Sequence, residues 1–382
     1  MNYSKPNKFL FILIFGISIL SCKQANRHSE QLPELEVISG ENGSFAGYNL
    51  NKQGQYDITS YMDINGNIKI SESVLPKTSE IIIIPKNSIA TIKMINDLSW
   101  NGYYKEDQNK SNFQGVFLKN RIVQLDSYVI GQYEVTEQLY EVIINNNHVD
   151  SMKPKNKIDW FHACAFCNEF TKKVMNHNDC IYYSDEDCSI VYTMTDAENR
   201  NNVYIAYDKN RKKWLKRGYR LPTNAEWEFA ARGGNPNKDY WKWAFSGVNS
   251  YGFINLCSPY QDSNCKYDSN GELDYDKNLV AFCVYKWDGS KIFDVGSRQP
   301  NKLNLFDMSG NLWEWCYDYF SEIEVSNQID INPIGVEIGI GKSAYGGCYL
   351  CSANRCAISS RGSYYPFDDG DANGFRLARS LF

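Results

Sequence analysis

The densest run of reactive side chains lies near the carboxyl end, where Cys348, Cys351 and Cys356 follow Gly346-Gly347 within a few residues. Thiolates are soft ligands that select Cu(I) over hard ions. Two of them can hold Cu(I) in a near-linear way and leave it open to a third thiol. The same residues also allow plainer chemistry: a Cys351–Cys356 disulfide, or a local Cys348–Cys351 bridge. A second cluster is hard rather than soft. Asp307 and Glu314 bracket Gly310, which lets the chain turn so that carbonyls can converge. Calcium takes about six to eight oxygens from carboxylates and carbonyls, and this segment offers them. The plain alternative is a turn before a Trp-rich strand, with Glu314 in a salt bridge.

Other chemistries are argued against. The four histidines, His28, His148, His162 and His177, are scattered, which disfavours a His-rich zinc or iron centre. There is no strand–GxSxG–helix pattern and no Gly-rich phosphate loop. The 382 residues carry 40 Lys+Arg and 45 Asp+Glu, a formal net charge of −5. That balance disfavours nucleic-acid binding driven by phosphate neutralisation. Apolar residues at 43% and charged residues at 22% exclude wholesale disorder.

The positioning elements can be read from caps and periodicity. Arg121 to Ile130 alternates like one half-buried strand, and Gly131-Gln132 forms a turn. Thr136 caps a helix running through Leu139 and Val142, with Val135 and Tyr140 as a hydrophobic staple. A second helix follows Asp159, and Ala163, Phe166, Cys167 and Phe170 share its apolar face. Cys164 and Cys167 on this helix are expected to be buried small apolar residues. Thr223 and Glu226 form a capping box for a third helix, which stops at Gly233-Gly234. Beyond Gly234 periodicity fades, so ordered loops with fixing devices such as metals or disulfides are expected.

At the amino terminus, Lys5 and Lys8 precede the apolar run from Phe9 to Leu20. As a helix this run is about 18 Å long, too short for a bilayer. It ends in Ile19-Leu20-Ser21-Cys22, which resembles a bacterial lipoprotein cleavage box. The resemblance implies cleavage before Cys22, lipidation of its thiol, and an exported chain tethered to the cell envelope through the lipid alone. Residues 1–22 are then a signal peptide, 23–109 a polar leader with a strand-like Ile81–Ile84 run, and 110–382 the main domain. Of the 12 cysteines, 11 remain beside Cys22, and an exported compartment permits disulfides. Cys180 with Cys188, and Cys257 with Cys265, are plausible local pairs.

Four blocks in order resemble the formylglycine-generating enzyme family, also called sulfatase-modifying factors. They are IGQYEVTEQLY (130–140), GYRLPTNAEWEFAARGG (218–234), NLFDMSGNLWEWCYDY (304–319) and GG…GFRLARS (346–380). The resemblance implies an α/β (α+β), loop-rich, C-type-lectin-like domain. It implies a structural calcium held by the side chains of Asp307 and Glu314 and the carbonyls of Gly310 and Leu312. It implies copper on Cys351 and Cys356, which would take up a client's cysteine thiol, activate O2 and yield formylglycine, as type I sulfatases require. Cys348 replaces the family's Ser and is either a third thiol or its stand-in. Other departures are Tyr345 for Arg, Ser352 for His, Arg355 for Tyr, and Ala357-Ile358 where an Arg follows the second Cys, although Arg361 lies a little further on. The ending Gly374-Phe375-Arg376 reads as architectural, with Phe375 in the core and Arg376 on a carboxylate. A second family calcium site would lie in the insertion near Asn255 and is not claimed. The competing expectation is a non-catalytic, lectin-like envelope lipoprotein that binds a protein or glycan.

Overall fold

The computed structural model describes the strand residues 49–50, 56–57, 72–75 and 80–83, and residues 115–118, 121–147, 149–236, 238–248, 265–267, 273–276, 279–326 and 328–380. Cys22, the run from Phe9 to Leu20, Asn255 and Cys257 lie outside them. The chain divides into Met1–Lys69 and Ile70–Phe382. In the first unit Asn49–Leu50 pairs antiparallel with Tyr56–Asp57.

The second unit is mixed, with few helices and several short curled sheets. Strands β1 (Glu72–Leu75) and β2 (Glu80–Ile83) pair antiparallel with β4 (Tyr128–Gly131) and β3 (Ile122–Leu125). The expected single strand from Arg121 to Ile130 is thus two. They part at Asp126-Ser127, where the Asp126 N–H donates to Asn332 Oδ1 at 2.7 Å. Each takes a different long-range neighbour: Ile329–Ile331 lies parallel to β3, and Ala378–Ser380 antiparallel to β4.

The helices start where capping chemistry places them. In α1 (Glu137–Ile144) Thr136 Oγ1 accepts from Leu139 N at 3.1 Å. Val135 and Tyr140 are both buried, and Tyr140 stacks on Phe166 with centroids 5.2 Å apart. In α2 (Trp160–Val174) Asp159 Oδ1 accepts from His162 N at 2.8 Å. Its inward face buries Ala163, Cys164, Phe166, Cys167 and Phe170. In the helix Asn224–Ala231 Thr223 Oγ1 accepts from Glu226 N at 3.2 Å, and Glu226 Oε2 accepts from Thr223 N at 2.9 Å. It ends at Gly233 and Gly234, whose φ values of +79° and +72° disfavour any residue with a Cβ.

Buried polar side chains pin the loops among the described residues. Asn168, on α2, donates to the carbonyls of Tyr182 and Tyr192 and accepts from Ile181 N and Tyr182 N. Cys180 and Cys188, expected as a local bridge, are instead free thiols. Cys180 Sγ turns to Asn168 O at 3.8 Å and Cys188 Sγ to Ile205 O at 3.5 Å, so the two sulfurs serve different neighbours. Asn301 similarly donates to Ala230 O and accepts from Leu303 N and Leu305 N.

The central sheet has Trp313–Tyr319 between Lys342–Tyr345, antiparallel, and Asn373–Gly374, parallel. Arg361–Tyr364 flanks Lys342–Tyr345 on its outer side. Trp227, Trp241, Phe229 and Tyr345 pack in the core behind it.

Candidate functional site

Glu314, second in the strand Trp313–Tyr319, is wholly buried. Its Oε2 accepts from Trp227 Nε1 and from Arg376 Nε, each at 2.6 Å, and its Oε1 accepts from Arg376 Nη2. Arg376 also donates to the carbonyls of Gly131 and Phe306 at 2.9 Å. Arg376 therefore does pair with a carboxylate, and Phe375 does fill the core. Glu134 lies behind the same loop, accepting from Asn311 Nδ2 at 2.8 Å and Leu312 N at 3.0 Å. Burial pushes the Glu134 carboxyl well above the usual range, and the charges of Asp307 and Glu314 add to this.

Asp307 tests whether calcium fits here. Its Oδ2 accepts from Gly296 N at 2.7 Å, while its Oδ1 is buried without a hydrogen-bond partner. Burial raises this carboxyl to about 6. An orphaned, buried carboxylate oxygen is the kind of atom that a hard cation satisfies. Glu314 differs, because Arg376 and Trp227 already engage both of its oxygens. A cation beside Asp307 would share Glu314 with a guanidinium. The donor set fits calcium at Asp307 and only in part at Glu314.

Gly310 ties this loop to the cysteine turn. It has φ +86°, and a Cβ there would lie 2.1 Å from Val284 O and 2.8 Å from Cys283 Sγ. Its N–H donates to Gly346 O at 2.6 Å. Asn311 N donates to Val284 O, and Tyr349 N to Asn311 O, each at 2.8 Å. Gly346 and Gly347 hold φ of +92° and +73°. A Cβ on Gly347 would lie 2.7 Å from Cys356 Sγ, so glycine is required where the turn passes over that thiol.

Two of the three cysteines of the turn, Cys348 and Cys351, lie side by side, the local pairing that the sequence allows. The chain from Cys348 to Cys351 closes on itself through Cys351 N donating to Cys348 O at 2.9 Å. This brings Cys348 Sγ to 2.7 Å from Cys351 Sγ. Cys356 is wholly buried at the end of the short 3-10 turn Ala353–Cys356, where its thiol turns to Cys348 O at 3.9 Å and packs in one cluster with Cys283. Cys351 and Cys356 both reach Cys348, the first through its sulfur and the second through its carbonyl. Cys356 and Cys283 belong to an apolar cluster with Phe245, Leu279 and Ala357, and half-buried Cys351 packs against it. Burial pushes the Cys356 thiol far up, which disfavours the thiolate that a soft metal needs. No group of three or more His, Cys, Asp or Glu suited to a metal occurs among the described residues.

Cys351 is the chemically available thiol. It is half-buried, beside Leu350, which is 50% exposed. The contact with Cys348 lowers the Cys351 thiol, with Arg355 and the Trp313 indole helping, while the same contact and burial raise Cys348. Tyr345, which stands where the family has Arg, is buried and stacks on Trp227 at 4.7 Å. Arg361 donates to Ser321 O and covers the Phe320 ring, so it acts elsewhere. Cys283, a partner in this site, was missed because it lies 73 residues upstream of Cys356.

Sequence comparison now gives the family. Residues 102–381 match the sulfatase-modifying factor enzyme 1-like domain, and the chain belongs to this family. Its fold is the family's loop-rich C-type-lectin-like α+β architecture. The chain is similar to the chaperone protein LppX of Paenibacillus barcinonensis, with 27% identity over 68% of this chain and 82% of that protein. It is also similar to the formylglycine-generating enzyme of Streptomyces coelicolor, 31% identical over 42% of this chain and 46% of the enzyme. The formylglycine-generating enzyme of Thermomonospora curvata is 30% identical over 49% of this chain and 57% of the enzyme. The chain thus spans about half of each of these enzymes. Among solved structures, Treponema denticola variable protein 1 superposes with a TM-score of 0.52 at 22% identity, covering 81% of this chain and 99% of that one.

Proposed function

We propose that this protein is an exported, lipid-anchored family member that holds a protein client and does not generate formylglycine. The client half rests on one observation. Ile338 and Ile340 stand 88% and 79% exposed, in a segment where Ile329, Ile331 and Val336 are also exposed. Exposed aliphatic side chains grouped along one segment suit an unfolded or extended partner. The broad similarity to a protein named as a chaperone points the same way. The complete burial of Cys356, together with Tyr345, Ser352, Arg355 and Ala357 at positions where the enzymes differ, argues against the oxidase.

The test has two arms. Reduced full-length protein is loaded with Cu(I) and incubated in air with a Cys-x-Pro-x-Arg peptide; the peptide mass should stay unchanged. Chemically unfolded lysozyme is then diluted beside an equimolar amount of the protein, and aggregation should slow, less so with Ile338→Ser/Ile340→Ser. Formylglycine in the peptide, or unaltered aggregation, would overturn the reading.

Calcium at Asp307, with carbonyls of Gly310 and Leu312 and part of Glu314, belongs to the same proposal. What supports it is the unpartnered Asp307 Oδ1. Bound calcium would neutralise the carboxylates and rigidify the loop. A chelator should lower the melting temperature by a few degrees, since a ligand bound only to the folded state stabilises it. An unchanged melting temperature removes calcium from the account. Lipidation at Cys22 is tested by Cys22→Ser, which should release the protein from the membrane fraction.

A further inference from the structure

We propose that Cys348 and Cys351 form a redox-active dithiol that exchanges with disulfides presented at the surface of the turn. This goes beyond client holding, and it uses a thiol pair different from the one that the family resemblance implies.

Three observations carry it. The two sulfurs lie 2.7 Å apart, and the backbone bond from Cys351 N to Cys348 O holds them there. A disulfide needs about 2.05 Å between sulfurs, so oxidation requires only a small closure. The pair is also asymmetric in access, with Cys348 buried and Cys351 half-buried next to exposed Leu350. Finally, Cys356 is wholly buried, and its thiol turns to the Cys348 carbonyl at 3.9 Å.

The exchange balances as follows. The Cys351 thiolate attacks one sulfur of a substrate disulfide, giving a mixed disulfide, and the other substrate sulfur leaves as a thiolate that takes up a proton. Cys348 then gives its proton to solvent and attacks Cys351 Sγ. The Cys348–Cys351 bond forms, and the second substrate sulfur leaves and is protonated. The substrate gains two electrons and two protons, and the turn loses the same. An external dithiol returns the turn to its reduced form by the reverse steps.

Trypsin makes the test sharp, because Lys342 and Arg355 bracket Cys348 and Cys351 and exclude Cys356. The full chain, free of copper, is equilibrated in glutathione buffers of graded ratio, acid-quenched, alkylated, unfolded and digested. The expected result is a bond internal to peptide 343–355 that rises and falls reversibly with the ratio. In Cys348→Ser, glutathione should accumulate on Cys351 at least tenfold above its level on Cys348 in Cys351→Ser. The proposal is overturned by a bond linking 343–355 to 356–361, or by no bond across the range. It is equally overturned by an adduct that favours Cys348. The mapping on the unaltered chain does not depend on any variant folding, and it involves neither copper nor client, so it can fail independently of the proposed function.

Discussion

The chain contains two described Cys-x-x-Cys spacings with opposite fates. Cys164 and Cys167 sit on one face of a helix, as residues three apart do, and that face is sealed in the core. Burial pushes both thiols far up, so they pack as small apolar groups. Cys348 and Cys351 have the same spacing in a closed turn, where the backbone aims both sulfurs at one point and leaves one near solvent. Spacing alone therefore does not define thiol chemistry. Backbone geometry decides whether the sulfurs meet, and the surrounding dielectric decides whether either ionises.

The largest effect should come from the scaffold beneath both pairs. Arg376→Ala leaves Glu314 as an unpaired buried carboxylate and should cost about 3–5 kcal/mol in urea unfolding. Alkylation of Cys351 in the folded protein should nonetheless stay faster than that of Cys164. A loss below about 1 kcal/mol would mean that another cation serves Glu314.

A second pair of variants contrasts the two motifs directly. Cys167→Ser places a hydroxyl in an apolar site and should cost about 1–3 kcal/mol. Cys351→Ser, half-buried, should cost under about 1 kcal/mol. Equal losses would break the distinction between a packing pair and a reactive pair. Iodoacetamide at neutral pH sharpens it: Cys351 should label roughly tenfold faster than Cys164 or Cys167, which should react only after unfolding. Similar rates in the folded protein would count against the contrast.

The smallest effect is a pH dependence at the start of the buried-pair helix. His162 Nδ1 lies 2.6 Å from Asp159 Oδ1, and this bond raises the imidazole above its ordinary 6.5 despite partial burial. The folded state thus holds the proton more tightly than the unfolded chain. The resulting stability is complete below about pH 6.5 and is lost as pH rises through the raised value. His162→Gln should flatten that slope, and a slope that persists would assign it to another group.

How much was readable beforehand depended on distance along the chain. The caps at Thr136, Asp159 and Thr223–Glu226 and the stop at Gly233 depend on residues three or four apart, so local chemistry specified them. Alternation from Arg121 to Ile130 predicts one continuous strand, whereas the break in it answers to Asn332, more than 200 residues later. The Cys180–Cys188 bridge was inferred from loop composition, but Asn168 on the preceding helix had already arranged that loop.

The sequence by itself determined the family through four ordered blocks, the helix boundaries, and the identity of every thiol and carboxylate near the site. Only the tertiary structure decided which of those groups face one another. Arg376 meets Glu314 from 62 positions away, and Cys356 packs in one cluster with Cys283 from 73 positions away. Such pairings depend on strand order and core packing. Short-range spacing carries no information about either.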